Sequence, residues 1–262
     1  MIYDVQGLQF AYPGGKTVIR DATFTLAEGE IMTILGPNGA GKSTLFHCLA
    51  NIRRPTAGKI LLDGKPIQKL SPQQIAGVIG YVQQSHTAVF DYTVLYFVMM
   101  GRAAKIAAFS KPKEEDRQIA MQALETLSIA HLAQCPYTAI SGGERQLVLI
   151  ARALAQQPKA ILLDEPTSHL DFGRSTLILE LAQELKQKGY SVLMTTHDPN
   201  HAILLDGKAA LLDREGILHV GDAASVVTEE NLRPLYQSDL HVIQIPELDR
   251  KACLSGALRK IP

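Results

Sequence analysis

Three hydrophobic rhythms divide this chain. In some stretches apolar residues recur at every second position, in others every three to four, and a few short runs are apolar throughout. A period of about 2 marks a strand with one wet face, and a period near 3.6 marks a helix with one buried stripe. A run of about four to eight apolar residues marks a strand covered on both sides. Residues 2–34 therefore predict β-structure: two alternating runs about a turn at 13–16, then the short buried strand Ile31–Leu35. Residues 44–50 continue as a helix with Leu45 and Leu49 on one face, and 58–64 form a strand ending in the turn Asp63-Gly64. Ser71-Pro72 opens a short helix, with serine as cap and proline at the first helical position. Residues 78–82 return to strand and run into Gln83-Gln84.

From about 86 to 140 the rhythm is helical, and Pro112 followed by Glu114, Glu115 and Asp116 is a helix start. Beyond 142, Leu147, Ile150, Ala151 and Leu154 fall at i, i+3, i+4 and i+7, predicting a helix with a single core face. The runs 160–163 and 192–194 suit parallel strands buried on both sides. A hairpin (209–213 with 217–220) and a helix near 228–237 close the periodic part; residues 241–262, with Lys251, Arg259 and Lys260, predict a solvated basic tail. Strands alternating with helices imply a doubly wound α/β sheet that binds ligands at its strands' carboxyl ends. The predicted architecture is one domain over 1–262. Its core comprises about 1–85 and 155–240 and includes an N-terminal antiparallel β-subdomain. A helical lobe is inserted at 86–154, and 241–262 is the tail.

The step from the Ile31–Leu35 strand to the following helix is Gly36-Pro37-Asn38-Gly39-Ala40-Gly41-Lys42-Ser43, a Gly-x4-Gly-Lys-Ser phosphate loop in its proper strand-to-helix setting. Its glycines let backbone N–H groups converge on phosphate oxygens, and the helix N-terminus adds partial positive charge. Gly36, Asn38, Gly39, Ala40, Gly41, Lys42, Ser43 and Thr44 are the candidate cradle. Lys42 would reach the β- and γ-phosphates of a nucleoside triphosphate, and the Ser43 hydroxyl would ligate Mg²⁺. Gly14-Gly15-Lys16-Thr17 ends in similar letters, but Phe10 stands in place of the first glycine and no strand-to-helix context surrounds it, so it predicts a hairpin turn.

Composition removes several alternatives. Lys+Arg and Asp+Glu both total 26, so there is no cationic excess to attract nucleic acid, and no nucleic-acid partner is expected. Cysteines 48, 135 and 253 are dispersed and odd in number, as for reduced thiols. Met1-Ile2-Tyr3-Asp4 lacks a basic segment followed by an apolar one, predicting no signal peptide. The longest apolar stretch, 94–100, is far short of the ~20 residues that span a bilayer, predicting a soluble chain.

Downstream of the phosphate loop, the 160–163 strand ends in Asp164-Glu165 and then Pro166, which turns the chain out of the sheet. Asp164 would hold the Mg²⁺ shell and Glu165 would orient and deprotonate an attacking water. Ile140-Ser141-Gly142-Gly143-Glu144-Arg145-Gln146 opens the next-upstream helix, Thr167-Ser168-His169-Leu170-Asp171 follows the acidic pair, and the 192–196 strand ends at His197. In this order the motifs resemble the ATP-binding cassette (ABC) family of ATPases, from about residue 2 to 238. The P-loop NTPase fold and ATP with Mg²⁺ are what the resemblance implies.

It further implies roles residue by residue. Tyr12 matches the aromatic that stacks on adenine. Gln84 matches the glutamine that touches Mg²⁺ and relays the nucleotide state; Gln83 stands where the family has proline, so that register stays open. Ser141, Gly142 and Gly143 match the signature that binds the γ-phosphate held by the opposite subunit, with Glu144 in place of the usual glutamine. Asp171 matches the loop coupling the two sites, with His169 where alanine is usual. His197 matches the switch histidine on the γ-phosphate and, with Glu165 and Lys42, completes the catalytic set. A head-to-tail dimer of two copies closed over ATP is implied. The i, i+4 pair His197 and His201 also invites a metal reading, which Pro199 and the lack of a third ligand argue against.

Thr93-Val94 followed by Met99-Met100-Gly101-Arg102 resembles the ATPases of bacterial importers for iron–siderophore, haem, cobalamin and related metal chelates. In those systems the segment after the glutamine, here 90–102, receives a helix from a membrane subunit. The implied partners are integral-membrane permease subunits and an external substrate-binding protein, with this chain peripheral on the cytoplasmic face of the inner membrane. The alternative is a soluble cytosolic ABC ATPase such as an iron–sulfur cluster assembly factor.

Overall fold

The computed structural model describes residues 1–15, 17–84, 92–106 and 110–256. Lys16, the 86–91 start of the expected helical lobe, and Arg259 and Lys260 lie outside them. The two alternating runs pair antiparallel as β1 (Tyr3–Ala11) and β2 (Thr17–Leu26). β3 (Ile31–Leu35) leads through the glycine loop to α1 (Lys42–Leu49). β4 (Ala57–Leu62) returns to pair with β1, then turns at Asp63 and Gly64, both at positive φ, into the two-residue β5 (Lys65–Pro66). α2 (Pro72–Ala76) starts on a reciprocal cap: Gln74 N–H donates to Ser71 Oγ at 3.2 Å while Ser71 N–H donates to Gln74 Oε1 at 2.8 Å. β6 (Ile79–Val82) ends just before Gln84.

The helical lobe contains α3 (Val94–Met99), α4 (Glu114–Thr126) and α5 (Gly142–Ala155). β7 (Ala160–Leu163), α6 (Phe172–Gln187), β8 (Ser191–Thr196), α7 (Pro199–Leu205), β9 (Lys208–Leu212) and β10 (Leu218–Asp222) complete the core. α8 (Ala223–Val226), α9 (Glu229–Tyr236), β11 (Leu240–Ile245) and β12 (Arg250–Ser255) follow.

Two sheets carry the domain. The β-subdomain has strand order β2-β1-β4-β5, all antiparallel, and the main sheet runs β10-β9-β3-β8-β7-β6, parallel except for β10. Alternate residues of the buried strands feed different cores. Ile161 and Leu163 of β7 pack with the lobe and α6, whereas Ala160 and Leu162 pack with α1 and the β-subdomain. That two-sided burial is why 160–163 of β7 and 192–194 of β8 read as unbroken apolar runs.

Within the lobe, Phe97 stacks on Tyr137 with ring centroids 4.2 Å apart, and the Arg152 guanidinium lies 4.8 Å from the Phe97 ring. Gly101 and Arg102 bind the segment after α3, with α4, to α5. A Cβ on Gly101 would collide with the Arg152 carbonyl oxygen. The buried Arg102 donates to Asp116 Oδ1 (3.1 Å), to the Ala155 carbonyl at the end of α5 (3.0 Å) and to Gln157 Oε1 (2.9 Å).

Two expectations need correction. α5 is not buried along one stripe: Leu147 is only partly covered, while Gln146, Val148 and Ala153 are buried. The helix is wedged between the lobe and the sheet, so it is covered through most of its circumference. Nor is the chain after α9 a loose solvated tail. Residues 240–255 form the β11–β12 hairpin, whose Cys253 is buried with Ala202 of α7 and Leu232 and Leu235 of α9.

Candidate nucleotide site

β3 lies between β8 and β9 and is buried throughout, so its chain can leave only at the carboxyl edge of the sheet. There the loop bends sharply. Gly41 has φ +108°, a conformation strained for any residue with a side chain, and a Cβ on it would strike Val18. The bend delivers Lys42, almost wholly buried, to the first position of α1. Its Nζ donates to the carbonyls of Gly36 (2.7 Å) and Pro37 (3.1 Å) and pairs with Glu165 Oε1 at 2.9 Å.

Glu165 is the hub of the site. Its Oε2 lies 3.3 Å from His197 Nδ1 and accepts from Gln84 Nε2 at 3.4 Å. Burial pushes this carboxyl up, but the hydrogen bond and charge of Lys42, with His197, outweigh it and leave Glu165 below the usual carboxylate range. Of the adjacent glutamines, Gln84 is the one that reaches Glu165 and lines the cleft.

Asp164 sits behind Ser43 and is held by three hydroxyls: Thr195 donates at 2.7 Å and Ser43 at 3.2 Å to Oδ1, and Tyr81 at 3.2 Å to Oδ2. Thr195 also accepts the Glu165 backbone N–H at 2.8 Å, so one buried hydroxyl ties both acidic residues to β8. Burial, and then Asp164 itself, push the Tyr81 phenol up and keep it a donor. The Ser43–Asp164 pair is an all-oxygen donor set, the kind that suits a hard cation such as Mg²⁺.

These groups open onto a cleft of about 810 Å³ lined by Tyr12, Val18, Asn38, Gly39, Gly41, Lys42, Ser43, Thr44, Gln84, Glu165, Ser168, His169 and His197. Tyr12 bonds Thr44 through its hydroxyl (3.1 Å), and Arg53, not itself a lining residue, backs the ring at 4.8 Å. Gly36 and Ala40 are buried within the loop. Ser141, Gly142, Gly143 and Asp171 do not line this cleft. They lie together elsewhere. Ser141 caps α5, with its N–H and Oγ–H both donating to Glu144 (2.7 and 2.5 Å), bonds that hold the Glu144 carboxyl low. Asp171 caps α6 through the Arg174 N–H (2.9 Å), and the Arg174 side chain fills the space a Cβ on Gly143 would take. His197 and His201 are engaged apart: His201 Nδ1 pairs with Thr196 Oγ1 at 2.8 Å, and burial pulls His201 below the ordinary histidine value.

Thr195, Tyr81 and Arg53 escaped the sequence reading, and Ser168 and His169 entered it only as part of the motif before Asp171. Thr195 had one legible trace, a hydroxyl directly after the apolar run 192–194. With Leu163 opposite Met194 in parallel register, the next residues along are Asp164 and Thr195.

A family model described as "ABC transporter" matches residues 19–168. The molybdate import ATP-binding protein MolC of Haemophilus influenzae is 41% identical over 233 residues, covering 88% of this chain and 87% of that one. The iron(3+)-hydroxamate import ATP-binding protein FhuC of Bacillus subtilis is 36% identical over 248 residues, covering 94% and 92%. Among solved structures, a metal-chelate type ABC transporter in an inward-facing conformation superposes with TM-score 0.87 at 37% identity, covering 98% of each chain. A dimeric ATP-binding cassette in a post-hydrolysis state, bound to ADP and Pi, superposes at 0.74 with 27% identity, covering 85% of this chain and 99% of that one.

Proposed function

The chain belongs to the ABC transporter family and is an ATPase, and on that premise we propose that it powers import of a metal compound through separate membrane subunits. The observation that carries the reading is the Glu165 cluster in the phosphate-loop cleft: a carboxylate within reach of Lys42, Gln84 and His197. ATP would lie along the cleft, its phosphates on the N–H groups of 36–43 and its base against Tyr12. Its phosphates would give Lys42 partners to replace Glu165 and the loop carbonyls, freeing the carboxylate to orient and deprotonate water. His197, across Glu165, would hold the terminal phosphate. Mg²⁺, where bound, would neutralise phosphate charge beside Ser43 and Asp164, with Gln84 at its edge. Ser141, Gly142, Gly143 and Asp171 would complete the site from a second copy, a reading supported by their place outside this chain's own cleft and by the dimeric cassette.

The membrane reading is supported by the lobe. Tyr96 of α3, 45% exposed, lines a mostly apolar recess of about 320 Å³ with Met99, Met100, Ala103, Ile106, Ser110 and Pro112. An apolar helix of a permease would fill it. Among the described residues no helix is long and apolar enough to cross a membrane, so attachment would be peripheral, on the cytoplasmic face. The relatives named for iron(3+)-hydroxamate and molybdate import favour a metal-chelate cargo, widened to metal oxyanions, over iron–sulfur assembly. An external binding protein would present it.

Glu165→Gln removes the base and keeps the shape. It is expected to form an ATP-dependent dimer on size exclusion and to lose turnover by at least about a hundredfold. Hydrolysis at the wild-type rate would remove Glu165 from its role.

A further inference from the structure

The reaction outlined above makes no use of residues 240–255, yet the β11–β12 hairpin is fastened to the turn that carries His197. Val242 and Cys253 face each other across the hairpin with their N–H groups directed outward. Val242 N–H donates to Glu229 of α9 (2.9 Å), and Cys253 N–H donates to Asn200 Oδ1 (2.8 Å). Asn200 Nδ2 returns a bond to the Cys253 carbonyl at 3.1 Å. One carboxamide thus does for β12 what the peptide of a neighbouring strand would do, donating and accepting at a single residue.

Asn200 is also part of the histidine turn. Its N–H and Nδ2 both donate to Asp198 Oδ1, at 2.9 and 3.1 Å. Asp198 N–H donates to Thr196 Oγ1 (3.1 Å), which pairs with His201 Nδ1. These bonds fix the internal shape of 196–201, and β8 together with the packing of α7 on β3 and α6 sets its place in the sheet. The Asn200–Cys253 pair adds a second tie, to an element 53 residues further on. Behind it, Tyr236 of α9 packs in the same cluster with its hydroxyl buried and, among the described residues, without a hydrogen-bond partner.

We propose that Asn200 is a positioning residue and that the C-terminal hairpin backs the hydrolytic site from outside the cleft, steadying the 196–200 turn so that His197 reaches Glu165 and the terminal phosphate. The inference rests on the reading of His197 given above. A misplacement of about 1 Å at a reacting group costs up to roughly a hundredfold in rate, so a clip of two hydrogen bonds is enough to matter.

The test is steady-state ATP hydrolysis by the full-length protein, with amide hydrogen exchange over 250–255 read in parallel. Asn200→Ala is expected to lower kcat about tenfold with KM for ATP within about twofold. Exchange over 250–255 should accelerate by about tenfold, the worth of the lost bonds. Asn200→Asp keeps the Oδ1 acceptor but sets a carboxylate oxygen against Asp198 Oδ1 and the Cys253 carbonyl where Nδ2 donated, so its kcat should fall at least as far as that of Asn200→Ala. If Asn200→Ala does not fold, Asn200→Asp decides by the same criteria. Faster exchange with kcat within about twofold of wild type would make the clip a tether only and overturn the proposal. Lowered kcat with unchanged exchange would remove the hairpin from it. His197→Ala provides the reference. An inactive His197→Ala beside a fully active Asn200→Ala sinks this inference alone, whereas wild-type kcat in His197→Ala overturns the reading beneath it as well.

Discussion

Thr195 illustrates how an uncharged residue holds two acidic ones. Its hydroxyl accepts from the Glu165 N–H and donates to Asp164 Oδ1, so neither group is left unpaired in the sheet. Thr195→Val keeps the shape and removes both bonds. The Glu165 N–H is left without a partner, at a cost of about 1–3 kcal/mol, and Asp164 Oδ1 keeps only Ser43, so the variant should unfold at lower urea and hydrolyse ATP more slowly, with Thr195→Ser restoring both. Unchanged stability and rate in Thr195→Val would show that the bridge does not organise the pair. At this scale the sequence was most legible where chemistry has a fixed spacing. The phosphate loop, Asp164, Glu165, Gln84 and His197 converge as their spacing and the family resemblance predicted. Thr195, Tyr81 and Arg53 were not legible, because each acts through a partner 31 to 83 positions away, or through a ring it merely touches.

Elements were legible in proportion to how plainly one face is buried. β7, β8 and the Ser71 cap follow directly from local pattern, whereas α5 did not, since a helix packed on several sides loses its single stripe. The hairpin 240–255 was missed for a related reason. Its burial is one-sided and shallow, and its anchoring lies in Asn200 and Glu229 on other elements. The lobe's brace at Arg102 gives a sharp prediction of its own. Removing the guanidinium leaves the buried Asp116 carboxylate without its countercharge, held only by the Lys113 N–H, so Arg102→Ala should cost about 3–5 kcal/mol in urea unfolding. The backbone N–H of Lys113, with Arg102, holds the Asp116 carboxyl below its ordinary value despite burial. A depressed folded value means that this stabilisation is complete above the unfolded carboxylate pKa and is lost as pH falls through the folded one. The gap between wild type and Arg102→Ala should therefore narrow as pH drops below about 4. A gap independent of pH would place the cost in packing alone.

Across the whole molecule, two groups of polar residues stand apart. The cleft holds the phosphate loop, Glu165 and His197, while Ser141–Gly143 and Asp171 sit together outside it. A lobe braced by Arg102 carries the apolar recess at α3, and the same brace ends on the carboxyl end of α5. A push on α3 therefore has a stiff route to the helix that Ser141 caps, which is what an ATPase coupled to a membrane subunit requires. The fold class, the antiparallel subdomain and the inserted lobe were legible from the hydrophobic rhythms taken together with the family resemblance; the cargo was not. The most direct measurement is co-purification of tagged Glu165→Gln protein from detergent-solubilised membranes of its own cell, with mass spectrometry of what accompanies it. A stoichiometric multi-span membrane protein is the expected companion. Recovery only from the soluble fraction, with soluble partners, would contradict the importer account.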